Sequence, residues 1–411
     1  MSSTNTIAER EVKSRRLFIA VILGLLAGIG PLSIDMYLPA LPALADDFNA
    51  STSLAQLSLT ACLVGIALGQ LIVGPISDVR GRRMPLLIGM AVYAVISLLC
   101  VFSPSIWTFI LLRFVQGFAG AAGIVISRAS ARDLYAGAEL TKFFALLMLI
   151  NGAAPILAPM IGAEIVTFTS WRGVFAVLSA SGLLMLAAVY VGLRETLPVD
   201  RRSRGGLRNT LATFRKLLGN SVFMGYAFTQ GLMMAAMFAY ISGSSFVLQE
   251  LYGVTPRGYS LVFGLNGAGI ILASQIAGRL AGKVPARRLL TAGLSMASLG
   301  AIILMAAVLL DLGLPMVITG FFFVVSSIGI TSATTTSLAL QDQGRSAGSA
   351  SALLGMLSFV FGGVAAPLVG LGGEGTALPL AIVMMALIAG AVVCFTLFTR
   401  GPKRAEDAAG R

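Results

Sequence analysis

Two ionisable side chains, Asp35 and Arg113, sit deep inside long apolar runs of this 411-residue chain. A carboxyl can take up and release a proton, whereas a guanidinium stays charged and presents a fixed fork of donors. Side by side in an apolar setting, the two would form a switch. The ionised acid pairs with the cation or holds a polar ligand, and the protonated acid lets go. Charge inside a membrane span costs on the order of 2.5–3.5 kcal/mol or more, so such residues mark function by default. A static pair that only orients helices is the plainer alternative.

The surrounding sequence decides whether these runs are spans. Of the residues, 57% are apolar and 11% charged, against roughly 25% charged in a soluble domain. Apolar runs near the length needed to cross a bilayer recur throughout. They lie near 17–44, 53–74, 84–103, 106–128, 142–165, 172–193, 222–248, 258–281, 289–310, 314–338, 348–371 and 376–399. The runs are continuous rather than alternating, which argues for helices and against a membrane barrel. The first run is too long for a signal-peptide core, despite small residues at Ala43-Leu44-Ala45, and reads as a retained helix. Many of the 47 glycines fall inside spans, where they permit close helix packing.

Charge gives the bundle a direction. With a cytoplasmic N-terminus, 26 of the 29 Lys and Arg fall on the cytoplasmic side. Arg172 and Arg257 fall on the other side, and Arg113 lies within a span. This positive-inside bias predicts cytoplasmic termini and explains the net charge of +12 without nucleic acid. With no histidine, and with Cys62, Cys100 and Cys394 scattered through spans, neither a metal site nor a cofactor is expected.

The predicted architecture is an all-α membrane protein of about twelve helices. A tail (1–16) precedes a six-helix half (17–193), a basic central loop (194–221), a second six-helix half (222–399) and a tail (400–411). Within the loop, Leu207, Leu211, Phe214 and Leu218 recur at helical spacing among Arg and Lys. The segment is either an amphipathic helix on the anionic leaflet or a solvated linker. Gly74-Pro-Ile-Ser-Asp78-Val-Arg-Gly81-Arg82-Arg83 follows span 2, and a weaker echo at Gly278–Arg288 follows span 8. Six plus six spans with an internal repeat is the pattern of a two-halved transporter.

Asp35 lies nine residues below the end of span 1 and Arg113 eight below the start of span 4. Both are therefore roughly 12–14 Å deep, and they could meet if those spans are neighbours. Span 5 carries Asn151, Gly152, Pro155, Ala158, Pro159 and Gly162, a run suited to a kink and to close packing. Span 7 carries Met233, Met234, Met237, Phe238 and Tyr240, and span 8 carries Asn266 and Gln275. Methionine suits promiscuous surfaces, although such stretches more often pack or face lipid. Glu164, Asp311 and Glu374 lie at outer ends, where water is expected.

At these motifs the chain resembles the major facilitator superfamily over essentially its whole length. Gly74, Asp78, Gly81, Arg82 and Arg83 match its loop 2–3 motif, with Val79 where a basic residue is usual. Arg113-x2-Gln116-Gly117 matches its span-4 motif, and Pro155 through Ala163 is similar to its span-5 antiporter motif. Ser33-Ile-Asp35-Met-Tyr37-Leu-Pro39-Ala-Leu-Pro42 resembles the first helix of the Bcr/CflA drug-resistance transporters. Arg132-Asp133, Trp171-Arg172 and Glu195-Thr-Leu-Pro198 agree with that subfamily.

The resemblance implies a monomeric, proton-driven exporter of drugs such as bicyclomycin and chloramphenicol, working by alternating access in a bacterial inner membrane. Asp35 and Arg113 would couple protons, and Gly74, Asp78, Gly81, Arg82 and Arg83 would form a cytoplasmic gate. Tyr37, Gln116, Asn151, Met237, Tyr240 and Asn266 are candidates to line the substrate cavity. A second acid found in helix 1 of some related exporters is Ala27 here. Export of an endogenous metabolite, such as a sugar or amino-acid derivative, fits the same residues. A membrane enzyme or sensor would want a soluble domain or clustered catalytic groups, for which the sequence offers no support.

Overall fold

The computed structural model describes residues 18–135, 154, 156–202, 214–341, 347–370 and 375–399. The described helices are α1 (Phe18–Asp47), α2 (Thr52–Arg80), α3 (Arg83–Val101), α4 (Ile106–Leu134), α5 (Ile156–Phe168) and α6 (Trp171–Gly192). They continue with α7 (Ser221–Leu251), α8 (Pro256–Leu280), α9 (Ala286–Leu309), α10 (Leu314–Leu340), α11 (Ala347–Gly370) and α12 (Leu378–Phe398). Eleven are long and apolar enough to cross a bilayer, and α5 is a shorter apolar helix within the described residues.

Polar caps set several starts. The side chains of Ser51, Ser105, Ser170, Asn220 and Thr255 accept from backbone N–H groups in the first turns of α2, α4, α6, α7 and α8. Helices α2 and α4 run further than their apolar runs suggest, so Asp78 and Arg80 lie on the last turn of α2. That helix stops at Gly81, whose φ of +94° favours glycine. Of the basic connection, 203–213 lie outside the described residues, and these include Leu207 and Leu211. Residues 214–218 are helical, with Phe214 and Leu217 buried and Leu218 exposed.

Helix α1 is discontinuous. Regular helix ends at Asp35, a 3-10 turn spans Leu38–Ala40, and helix resumes at Leu41–Asp47. Pro39 and Pro42 explain the break, because neither has an N–H to donate to the carbonyl four residues earlier. The second half satisfies carbonyls around the break. Ser245 Oγ donates to Leu38 O (2.7 Å) and Gln249 Nε2 to Pro39 O (3.2 Å). Gln249 lies in the π turn Val247–Leu251 that ends α7.

Further bonds between the halves gather at the same end of the bundle, remote from the basic loops. Thr60 Oγ1 donates to Gly363 O (2.8 Å), Gln56 Nε2 to Ser242 O (3.2 Å) and Ser260 Oγ to Pro159 O (3.0 Å). Arg257 grips Glu164 through two bonds of 2.8 Å. The described ion pairs at the basic end stay within the first half. The structure is thus closed at the end remote from the basic loops.

Inside the first half, α2 and α4 touch backbone to backbone at Gly65 and Gly117. A Cβ on Gly117 would collide with Cys62 O, and one on Gly65 with Phe114 O. Gly117→Val is expected to destabilise the protein by about 1–3 kcal/mol through overpacking. Gly278→Ala, where nothing lies within 4 Å of a Cβ, serves as the control. Thermal unfolding in detergent checks this: the first variant melts lower, and the control does not.

Candidate functional site

Arg113 is fully buried, so its charge must be met by protein. Nη2 donates to Ser33 O (2.9 Å) and Nη1 to Gln116 Oε1. The guanidinium lies over Tyr37 (4.5 Å to the ring centroid) and near Phe175 (5.4 Å). A desolvated cation–π contact contributes about 2 kcal/mol. Gln116 is held by a second bond, Nε2 to Ser97 Oγ (2.6 Å), and Ser97 Oγ donates to Tyr93 O (2.7 Å). Ser33 Oγ in turn bonds Tyr93 OH (2.7 Å). The result is a rigid polar nest linking α1, α3 and α4.

Asp35 is not in that nest. It is 4% exposed, its Oδ1 has no hydrogen-bond partner, and it forms no ion pair among the described residues. It does lie within electrostatic reach of Tyr240 on α7 and Tyr259 on α8. The expected Asp35–Arg113 contact is therefore absent in this state. The two side chains do lie at matching depth, because Arg113 reaches α1 only two residues from Asp35. The angle around the helix differs. Residues two apart are separated by roughly 200° at 3.6 residues per turn. Ser33 faces α3 and α4, and Asp35 turns to the second half.

The facing surface of the second half is aromatic and polar. Asn266 Nδ2 donates to Tyr240 OH (2.7 Å), while Asn266 Oδ1 has no hydrogen-bond partner among the described residues. Tyr240 stacks on Phe263 (5.6 Å, 22°) and meets Phe321 edge-on (5.1 Å). Met237 is half-buried one turn away, and Gln275 is exposed. Of the candidate lining residues, Tyr37 and Gln116 belong to the Arg113 nest, and Tyr240 and Asn266 bond each other opposite Asp35. Asn151, Gly152 and Pro155 lie outside the described residues. The described part of the span-5 motif packs against the break in α1. A Cβ on Gly162 would overlap Met36 O, Ala158 is buried, and Pro159 supplies the carbonyl for Ser260.

The loop 2–3 residues form a second cluster at the basic end. Arg82 bonds Asp78 (2.5 Å), Ser77 (2.8 Å) and Asp133 (3.0 Å). Glu195 accepts from the backbone N–H groups of Arg82 (2.8 Å), Arg83 (3.2 Å), Thr196 (3.0 Å) and Leu197 (3.0 Å). Arg83 Nη2 donates to Tyr190 O (2.8 Å). Gly81 is required twice, by its φ and because a Cβ would meet Glu195 Oε2 and Arg202. Gly74 has room, with Val125 at 3.5 Å from a Cβ. These described partners belong to the first half and to the start of the central loop, so in this state the cluster fastens loop 2–3 to the ends of α4 and α6 rather than joining the halves.

Asp133 and Glu195 match the family in sequence, but nothing in the sequence gives them a role. Ser245, Gln249, Tyr259 and Phe175 are not marked as site residues by the sequence. Ser245 and Gln249 were readable as polar residues one helical turn apart, on either side of the apolar stretch Phe246-Val247-Leu248. Phe175 carried no such mark. The outer acids Glu164 and Asp311 are exposed as expected, and Glu164 also bridges the halves. Glu374 lies outside the described residues.

Comparison with known proteins agrees with this geometry. The family model described as Major Facilitator Superfamily matches residues 23–367. The chain is 45% identical over 385 residues to an uncharacterised MFS-type transporter, YdgK, of Bacillus subtilis, covering 93% of this chain and 96% of the relative. It is 33% identical over 387 residues to a bicyclomycin resistance protein homologue of Haemophilus influenzae, covering 94% and 97%. A bacterial homologue of the human lysosomal transporter Spinster, solved in an inward-facing, unoccupied conformation, superposes with a TM-score of 0.76 at 15% identity over 94% of this chain and 96% of that one. Fold and site thus define a multi-pass membrane transporter built from two helical halves. The chain belongs to the Major Facilitator Superfamily.

Glu195 gives the basic-end cluster a pH dependence. Burial raises its pKa, but the N–H donors of Leu197, Arg82 and Arg83, helped by Arg202, outweigh burial and hold it below the usual glutamate value of 4.5. Its contribution to stability is therefore complete above about pH 4.5 and is lost as the pH falls through the depressed value. Glu195→Gln is expected to lower the unfolding temperature at neutral pH, with the gap to wild type closing in acid. Melting curves taken from pH 7 downward check this.

Proposed function

We propose that this chain is a proton-coupled antiporter that exports small drug-like molecules, such as bicyclomycin or chloramphenicol, across a bacterial inner membrane by alternating access. In this reading the basic loops and both termini are cytoplasmic, and the state described above is inward-facing. The observation that carries the proposal is Asp35: a buried carboxyl without an ion-pair partner among the described residues, at the break in α1, turned toward the opposite half. The similarity to a bicyclomycin resistance protein homologue supports the choice of cargo class.

The cycle uses the two faces of α1 differently. Arg113 anchors one face to α3 and α4 through Ser33, Gln116 and Ser97. Asp35, on the other face, takes a proton when the remote end opens and gives it up on the cytoplasmic side. Each proton moving inward across 100 mV brings about 2.3 kcal/mol. Drug leaves against it as the halves rock. Around Asp35, a substrate meets the Tyr240–Asn266 pair and the aromatic wall of Phe263 and Phe321. The Arg82 cluster stiffens the cytoplasmic rim of the moving half.

Asp35→Asn is expected to abolish proton-driven efflux while the protein stays folded and inserted. Purified protein in vesicles with an imposed pH gradient gives the test. Exchange by the variant at the wild-type rate would sink the coupling role. Arg113→Ala is expected to impair transport by a different route, loosening α1 from α3 and α4, and so to lower the unfolding temperature as well. An unchanged unfolding temperature would contradict the anchoring role.

A further inference from the structure

On the lipid-facing side of the first half, α3 and α6 do not close against each other at their basic ends. The groove between them has a volume of about 550 Å³ and is walled by Leu87, Ile88 and Ala91 of α3 and Leu183, Leu186 and Ala187 of α6, with Tyr190 at its head. Its width comes from Ala91 and Ala187, which give the groove two small walls. Such a surface accepts an acyl chain. By itself it would accept any acyl chain.

The head of the groove is not neutral. Arg83, the first residue of α3, lies over the Tyr190 ring (5.7 Å to the centroid) and bonds the Tyr190 carbonyl (2.8 Å). Arg83 is half-buried at this point. The adjacent acid, Glu195, is engaged by four backbone N–H groups. It occupies the N-terminus of α3, which leaves the Arg83 side chain as the donor for an incoming anion. Arg80 and Arg194 are exposed on the two chain ends flanking this point. A half-buried guanidinium flanked by two exposed arginines, at the head of an apolar groove, complements a phosphodiester attached to an acyl chain.

We propose that this groove binds one anionic phospholipid from the leaflet on the side of the basic loops, with an acyl chain between α3 and α6 and its phosphate on Arg83. The bound headgroup sits next to the Gly81–Arg82 turn and draws Arg83 toward the membrane surface. The lipid therefore braces the same turn that Glu195 holds from the other side.

The test uses the purified full-length transporter in detergent, with native mass spectrometry counting bound lipid. Phosphatidylglycerol and phosphatidylcholine with identical acyl chains are titrated separately. Wild type is expected to retain phosphatidylglycerol in preference. A single cation near the membrane surface contributes about fivefold in affinity. Arg83→Gln is accordingly expected to weaken phosphatidylglycerol about fivefold and leave phosphatidylcholine unchanged, whereas Ala187→Phe, which fills the groove, weakens both. Equal retention of the two lipids by wild type would overturn the proposal without reference to any variant. So would unchanged phosphatidylglycerol binding in Arg83→Gln, or unchanged binding of both lipids in Ala187→Phe.

Discussion

The break in α1 after Asp35 is the constraint on which the rest of the structure depends. Pro39 and Pro42 interrupt the helix in the part of the span that lies between the halves. Inside a bilayer the disturbed carbonyls cannot turn to water, so protein must meet them. Ser245 and Gln249 do so from the opposite half. Gly162 lets α5 close over Met36 at the same point. A local backbone defect thereby becomes the joint between two otherwise self-contained bundles. Bonds of this kind, from side chain to carbonyl, can be exchanged during the proposed rocking of the halves, unlike a packed apolar seam.

The two deep charges are handled in opposite ways. Arg113 is enclosed completely, with a carbonyl, an amide and two aromatic rings in place of a counter-ion. That arrangement keeps the cation fixed and ties α1 to α3 and α4. Asp35 is also buried but has no ion-pair partner among the described residues, and it faces tyrosines that belong to the other half. One charge serves as an anchor. The other is free to change state, which is why the proposed coupling rests on Asp35 more than on the pair.

Much of this was legible in the sequence, for identifiable reasons. Apolar runs of bilayer length gave eleven long helices close to their predicted positions, several of them started by Ser, Asn and Thr caps. The depth of Asp35 and Arg113 followed from counting residues. Their angle around the helix axis did not, because depth depends on residue number alone, whereas facing depends on which neighbour each helix meets. The partners of Arg82 were obscure for a related reason. Asp133 and Glu195 lie 51 and 113 residues away, and only the fold brings them to loop 2–3. The groove between α3 and α6 had no sequence mark beyond two alanines among larger residues.

The central claim is that Asp35 controls which way the two halves tilt. It is tested most directly by the distance between spin labels at positions 79 and 283, at the basic ends of the two halves, measured by pulsed electron resonance across a pH series. The account predicts that acidification shifts the distance distribution in otherwise wild-type protein, and that Asp35→Asn holds it in one population at every pH. The same pH-driven shift in the Asp35→Asn protein would contradict it.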